Sequence, residues 1–149
     1  MKPITVTRVV ERPISEVYEH LSVLGNHEAF TDHMLIDWTL SGPAAGFGAI
    51  ADVTSTLGGR KEPAQFEVIE AEPPVRILER STAANGRRIA TGEFRLAEDG
   101  PERTHVAFTF TLVSAPRIEQ LLLPLMAGKL RRANQTSLDR LAGQLGRRS

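Results

Sequence analysis

The sequence predicts an α+β fold: a curved antiparallel sheet of six or seven strands wrapped around a long C-terminal helix, with two short helices after strand one. Three observations predict it. Apolar and polar residues alternate from Ile4 to Glu11, glycine-bearing turn pairs punctuate the middle of the chain, and the tail after Ser114 changes to a helical period.

In strand one, Ile4, Val6, Arg8 and Val10 take one face and Thr5, Thr7, Val9 and Glu11 the other. Pro13 closes the strand and opens helix one, at a position where its missing N–H costs nothing. Helix one places Ile14, Val17, Leu21 and Leu24 on a single stripe and stops at Gly25-Asn26. A second short helix is expected over 27–33. Strands follow at roughly 35–41, 47–57, 60–71, 75–83, 87–97 and 103–112. Gly58-Gly59, Asn85-Gly86 and Asp99-Gly100-Pro101 tolerate the positive φ of tight hairpins, so successive strands should pair antiparallel; Gly42-Pro43 and Pro73-Pro74 are further breaks. The last strand is the clearest, with Val106, Phe108, Phe110 and Leu112 on the covered face.

The covering element is the tail, helical to about Leu145. At 100° per residue, Ile118, Leu121, Leu122, Leu125 and Met126 share one side, while Leu130, Leu138, Leu141, Ala142 and Leu145 share nearly the opposite one. One straight helix cannot bury both sets against one sheet, so a bend or break is expected between Pro124 and Gly128. The competing expectation is that the first half is apolar all round and buried.

Composition narrows the function classes. A chain of 149 residues without repeats is expected to form one domain over 1–149, burying roughly two thirds of its unfolded surface. Lysine plus arginine (18) equals aspartate plus glutamate (18), so no net field draws the protein to nucleic acid, and Arg147-Arg148 is too short to form a basic patch. The absence of cysteine excludes disulfides, thiolate catalysis and cysteine-type zinc sites, and fits a reducing compartment. The chain opens on a strand pattern and has no transmembrane run, so a soluble cytoplasmic protein is expected. The glycines of 42–48 match no phosphate fingerprint, and no cofactor is expected.

The order of elements resembles the helix-grip fold of the START-like (SRPBCC) superfamily, over nearly the whole chain. Its marks are the junction Val10-Glu11-Arg12-Pro13-Ile14-Ser15-Glu16-Val17-Tyr18, the loop Gly42-Pro43-Ala44-Ala45-Gly46-Phe47-Gly48, the segment Phe66-Glu67-Val68-Ile69-Glu70-Ala71-Glu72-Pro73-Pro74, and Gly92-Glu93-Phe94-Arg95-Leu96. Together and in order they are similar to the polyketide cyclase/dehydrase-like branch. The resemblance implies a cavity between sheet and helix that binds a hydrophobic small molecule of polyketide, lipid or quinone type, in some members with cyclase or dehydratase activity. It also implies a rival: some START-like relatives act on protein partners, for which the run Leu121-Leu122-Leu123-Pro124-Leu125-Met126 would dock. A homodimer is a further expectation. Phe30 stands where relatives commonly carry tryptophan, and Tyr18 is the one tyrosine, which argues against a tyrosine-assisted cyclase mechanism.

Cyclisation of a poly-β-ketone needs a base near an acidic methylene and a donor facing the developing enolate oxygen. Arg8 is the one charged residue on the Ile4, Val6, Val10 face. It is either a polar anchor for a ligand carbonyl or carboxylate, or it reaches water at a bulge or sheet end. Asn134 lies at the centre of the Leu130, Leu138, Leu141 stripe and needs a partner, which a ligand, a cavity water or a loop carbonyl could supply. Glu79 shares parity with Val75 and Ile77 and could face inward to pair with Arg8, although Leu78 competes for that burial. Phe30, Trp38, Phe66, Phe94, Phe108 and Phe110 are core or pocket wall, with Phe108 and Phe110 serving both, and Met126 and Leu130 are expected to join them. His27 and His33 flank Asp32, but their spacing of six puts them on different sides of a helix and no third ligand is evident, so no metal is expected. Either remains a general base if helix two lines the cavity mouth. The hydroxyls Thr54, Ser55 and Thr56 have no neighbouring base.

Overall fold

The structure, a computed structural model, describes residues 1–146; Arg147-Arg148 lies outside them. Strand β1 (Ile4–Val10) runs into helix α1 (Ile14–Ser22), a 3-10 turn (Leu24–Asn26) and the short α2 (Glu28–Thr31). Six strands follow: β2 (Leu35–Ser41), β3 (Ile50–Ser55), β4 (Glu62–Glu72), β5 (Arg76–Ala83), β6 (Arg88–Glu98) and β7 (Thr104–Ser114). The tail forms α3 (Arg117–Leu122), a 3-10 turn (Leu123–Met126) and α4 (Ala127–Gly146). The strands make one antiparallel seven-stranded sheet in the order β1-β7-β6-β5-β4-β3-β2. Consecutive hairpins carry the chain from β2 to β7, and β1 and β2 are left as the two edges.

The second helix is shorter than expected. The segment 27–33 divides into α2 and a following turn, because the Thr31 hydroxyl donates back to the His27 carbonyl at 2.7 Å and the chain turns there toward β2. The turn chemistry holds at Gly59, Asn85, Gly86 and Gly100, all at positive φ. Gly42 is obligatory on two grounds: its φ is 74°, and a Cβ there would lie 2.6 Å from the Gly48 carbonyl oxygen.

The tail breaks at Leu123–Met126, overlapping the interval from Pro124 to Gly128 where the sequence predicts a break, and the two halves part company. The second half is core: Leu138, Leu141 and Leu145 pack with Val6, Val10, Val17, Leu21 and Val106. The first half is not buried. Leu121 and Leu125 are 77% and 82% exposed, so the expectation of an all-round buried segment fails. Lying across the open end of the sheet, α3 can turn only one side inward.

Helix α4 also closes the β1 edge. The carbonyls of Thr5 and Thr7 accept hydrogen bonds from Arg131 Nη1 and Gln135 Nε2, both at 3.0 Å, and Arg12 Nε donates to the Leu145 carbonyl at 2.7 Å near the helix C-terminus. Arg8 belongs to this seam. It shares the face of Val6 and Val10, yet its guanidinium passes beside α4 to Asp139 at 3.2 Å, with both side chains about half exposed, 49% and 48%. Strand alternation fixes which face a residue takes, but not whether the covering helix extends over it.

Candidate functional site

The apolar face of β7 is unevenly buried. Val106 is solvent-free, whereas Phe108, Phe110 and Leu112 are only partly buried although they point to the same side. They are partly exposed because they border a hollow. Between the sheet and the C-terminal helices lies a cavity of about 350 Å³, within the range of small-molecule sites. Strands β4 to β7 supply one wall through Phe66, Glu79, Phe94, Phe108 and Phe110. Helix α4 contributes Leu130, Asn134 and Leu138, and the turn after α3 adds Leu123 and Met126. Phe30, Trp38 and His27 complete the lining from α2, β2 and the segment before α2.

Ten residues anticipated at a ligand site therefore line one cavity: Phe30, Trp38, Phe66, Glu79, Phe94, Phe108, Phe110, Met126, Leu130 and Asn134. Arg8 does not; held by Asp139 at the seam, it is no anchor for a ligand inside. Its expected pairing with Glu79 fails for the same reason. Tyr18 is buried away from the cavity, in the packed cluster under α1.

Glu79 takes the inward side of β5 with Ile77, and both are buried while Leu78 faces the other way. In the ladder it stands opposite Val68 of β4 and Gly92 of β6, neither of which brings a polar side chain. Its Oε2 is buried without a hydrogen-bond partner. Burial pushes the Glu79 carboxyl up to about 8, because the charged form would be stranded in an apolar wall. Gly92 is small for a packing reason: a Cβ there would lie 2.8 Å from the Phe108 ring.

The nearest titratable partner is His27, which the sequence left as a candidate base. It is only 4% exposed, and its Nε2 lies 2.7 Å from the Leu21 carbonyl. A carbonyl can only accept, so Nε2 carries the proton and Nδ1 presents a lone pair 4.0 Å from Glu79 Oε2. Ring centroids of Phe30, Phe94 and Trp38 stand 5.1, 5.7 and 6.4 Å from the imidazole. Burial in this nest pushes the histidine down to about 4, against the opposing pull of the Leu21 hydrogen bond. Near neutral pH both members of the pair are therefore uncharged. His33 is engaged elsewhere, its Nε2 bonded to the Ala133 carbonyl at 2.9 Å. Among the described residues no cluster of three or more metal-ligating side chains occurs.

Asn134 is also buried, and its Nδ2 has no partner. It sits one turn from both Leu130 and Leu138 on the inner side of α4, across the cavity from the sheet. A cation that sequence reasoning missed, Arg88, lines the cavity where α3 meets the sheet. Its guanidinium engages Glu119 of α3 at 2.5 Å and also Glu62 of β4. The signal was faint, since these three residues come from segments 26 and 31 positions apart. This ion cluster holds α3 to the sheet. Arg88→Met is expected to speed amide exchange in 117–122 by about tenfold, equivalent to ~1.4 kcal/mol of local opening, while exchange in β5 and β6 stays unchanged. Hydrogen exchange with peptide mapping checks this, and unchanged α3 protection would deny the latch.

The fold and cavity have known counterparts. The family profile described as polyketide cyclase / dehydrase and lipid transport matches residues 1–146. Comparison with curated proteins finds no match. Among solved structures, the Zhui aromatase/cyclase from Streptomyces sp. R1128 superposes with a TM-score of 0.81 at 16% identity, covering 99% of this chain and 94% of that one. The protein TTHA0849 from Thermus thermophilus gives 0.73 at 16% identity, with 97% of each chain covered. Protein Ms6760 from Mycobacterium smegmatis gives 0.70 at 14% identity, covering 99% and 92%. At these identities the likeness to each structure is one of fold. The sheet that closes on a long C-terminal helix is the helix-grip fold, and with the profile match spanning nearly every residue, the chain belongs to the polyketide cyclase/dehydrase-like branch of the START-like (SRPBCC) superfamily.

Proposed function

We propose that this protein binds a hydrophobic small molecule of polyketide, lipid or quinone type between its sheet and C-terminal helix. The observation that carries the reading is the cavity itself, about 350 Å³ and walled mainly by aromatic and aliphatic side chains. The fold alone would not suffice, because related folds host different activities. A cyclase or dehydratase type of conversion in the same cavity is the enzymatic form of this reading. Structural likeness to an aromatase/cyclase supports it; in the apolar part of the wall Glu79 and His27 are the titratable groups, and Asn134 offers a hydrogen bond there. A cytoplasmic setting accords with the absence of cysteine.

Thermal-shift measurements with polyketides, quinones, fatty acids and sterols test the reading. A ligand present at 100 times its dissociation constant stabilises by about 2.7 kcal/mol, a rise of roughly 5–10 °C for a chain of this size. Trp38 lines the cavity and is the only tryptophan, so its fluorescence should respond to the same compounds. Silence from all four classes in both measurements would reject the reading.

One observation favours a second reading, a protein-interaction module. Ile118, Leu121 and Leu125 form an apolar surface 67% to 82% exposed on the outside of the α3 region, with Leu122 at the cavity rim. Leu121→Glu together with Leu125→Glu should abolish partner capture while leaving ligand-induced stabilisation intact. Loss of both would tie the surface to cavity closure instead.

A further inference from the structure

Resting on the binding reading, we infer that Glu79 and Asn134 form a polar subsite that selects an uncharged ligand bearing a hydrogen-bond-accepting oxygen, such as a ketone, quinone or ester, over a carboxylate of the same shape. Both side chains line the cavity, Glu79 from β5 and Asn134 from α4. Both are more than nine-tenths buried, and each has a polar atom without a partner, Oε2 of the glutamate and Nδ2 of the asparagine. Buried polar groups are normally satisfied within a protein, so two orphans on one cavity mark where a ligand atom supplies the missing bond.

The polarity of the missing bond follows from the chemistry of each group. The asparagine nitrogen can only donate. Glu79, held neutral by its surroundings, carries one O–H donor. That proton is not consumed by His27, because Nδ1 is 4.0 Å from Oε2, beyond hydrogen-bond reach. The imidazole N–H is already given to the Leu21 carbonyl. The neutral carboxyl, whichever oxygen carries the proton, and the asparagine nitrogen thus each have one donor left to give, which suits an oxygen lone pair.

A ligand carboxylate would also accept, but among the described residues the side chains that line the cavity offer it no free cation. The titratable side chains that line it are His27, Glu62, Glu79, Arg88 and Glu119. Arg88 is taken by Glu62 and Glu119, and His27 is held uncharged. An anion would exchange water for an apolar wall and a second carboxyl group.

Calorimetric titration at pH 6.5 with three probes of one skeleton tests the inference: 2-acetylnaphthalene, 2-ethylnaphthalene and 2-naphthoate. The ketone should bind about tenfold tighter than the hydrocarbon, and the carboxylate should bind weakest. Glu79→Leu and Asn134→Leu should each reduce the ketone toward the hydrocarbon's affinity, and circular dichroism with a cooperative thermal transition certifies that each variant is folded. Glu79→Gln keeps a donor that cannot ionise, so it should retain the ketone preference at pH 9, where the native protein loses it. Naphthoate binding as tightly as the ketone, or a ketone preference that survives both leucine variants, would overturn the subsite and leave the cavity reading standing. Failure of all three probes to bind, the hydrocarbon included, would overturn the cavity reading and the subsite with it.

Discussion

Glu79→Gln is expected to make the protein more stable at pH 8 than the native chain, by about 2 kcal/mol beyond any difference at pH 6.5. The cause is proton linkage. The Glu79 carboxyl titrates near 4.5 when unfolded and near 8 when folded, so between those values the folded state holds a proton that the unfolded state has released, and stability falls as pH rises. His27 works the other way. Its value drops from 6.5 to about 4 on folding, so between those values the unfolded state holds the extra proton and stability rises with pH. From about 4.5 to 6.5 the two slopes cancel in the native protein, and above 6.5 only the loss from Glu79 remains. The glutamine variant keeps only the histidine slope: its stability should climb to about pH 6.5 and then level. Urea unfolding across pH 4.5 to 8.5 measures both curves. Parallel curves would mean that Glu79 is ionised in the folded protein, contrary to its unpaired burial.

Phe94→Ala should be the most damaging single truncation of the cavity wall, with a loss of ~3–5 kcal/mol. The ring is 4% exposed, lies 4.7 Å from Phe108 and 5.7 Å edge-on to His27, and sits in the ladder between Ile77 and Phe108. Removing it leaves a void continuous with the existing hollow, so there is little for the neighbours to collapse onto. The same change should admit ligands too bulky for the native cavity. Leu125→Ala is the contrast, because a side chain 82% exposed has little burial to lose, and ~0.5 kcal/mol or less is expected. Denaturant midpoints for the pair provide the check; a loss at Phe94 below ~1.5 kcal/mol would show that the wall relaxes inward.

Most of the fold could be read from the sequence because its signals are local. The inward face of β7, the hairpin glycines and the stripe reversal between Leu125 and Leu130 each depend on neighbours within a few residues, and β2 through β7 appear close to where those signals put them. The cavity wall was legible for the same reason: an inward aromatic on a strand either fills the core or borders a hollow, and here it borders one. The polar interior was harder. Glu79 could be placed on the inner face, but its neighbour His27 comes from a turn 52 positions earlier in the chain, and no periodicity connects them. Arg8 shows the opposite failure. Its parity was read correctly, but whether the helix would bury it or leave it beside Asp139 depended on where α4 crosses β1, a matter of sheet twist and helix placement.

The seam between β1 and α4 sets a condition on how the chain can be assembled. The first strand finds its ladder partner only in the seventh, and the bonds that cover its other edge join Thr5 to Arg131 and Thr7 to Gln135, separations of 126 and 128 positions. Chain closure over such distances is slow, and a strand emerging early from the ribosome must wait for nearly everything that follows it. The hairpins from β2 to β7 can form by zippering while β1 remains an unguarded template, so the interval before α4 docks is when this protein is most exposed to pairing with another copy of itself.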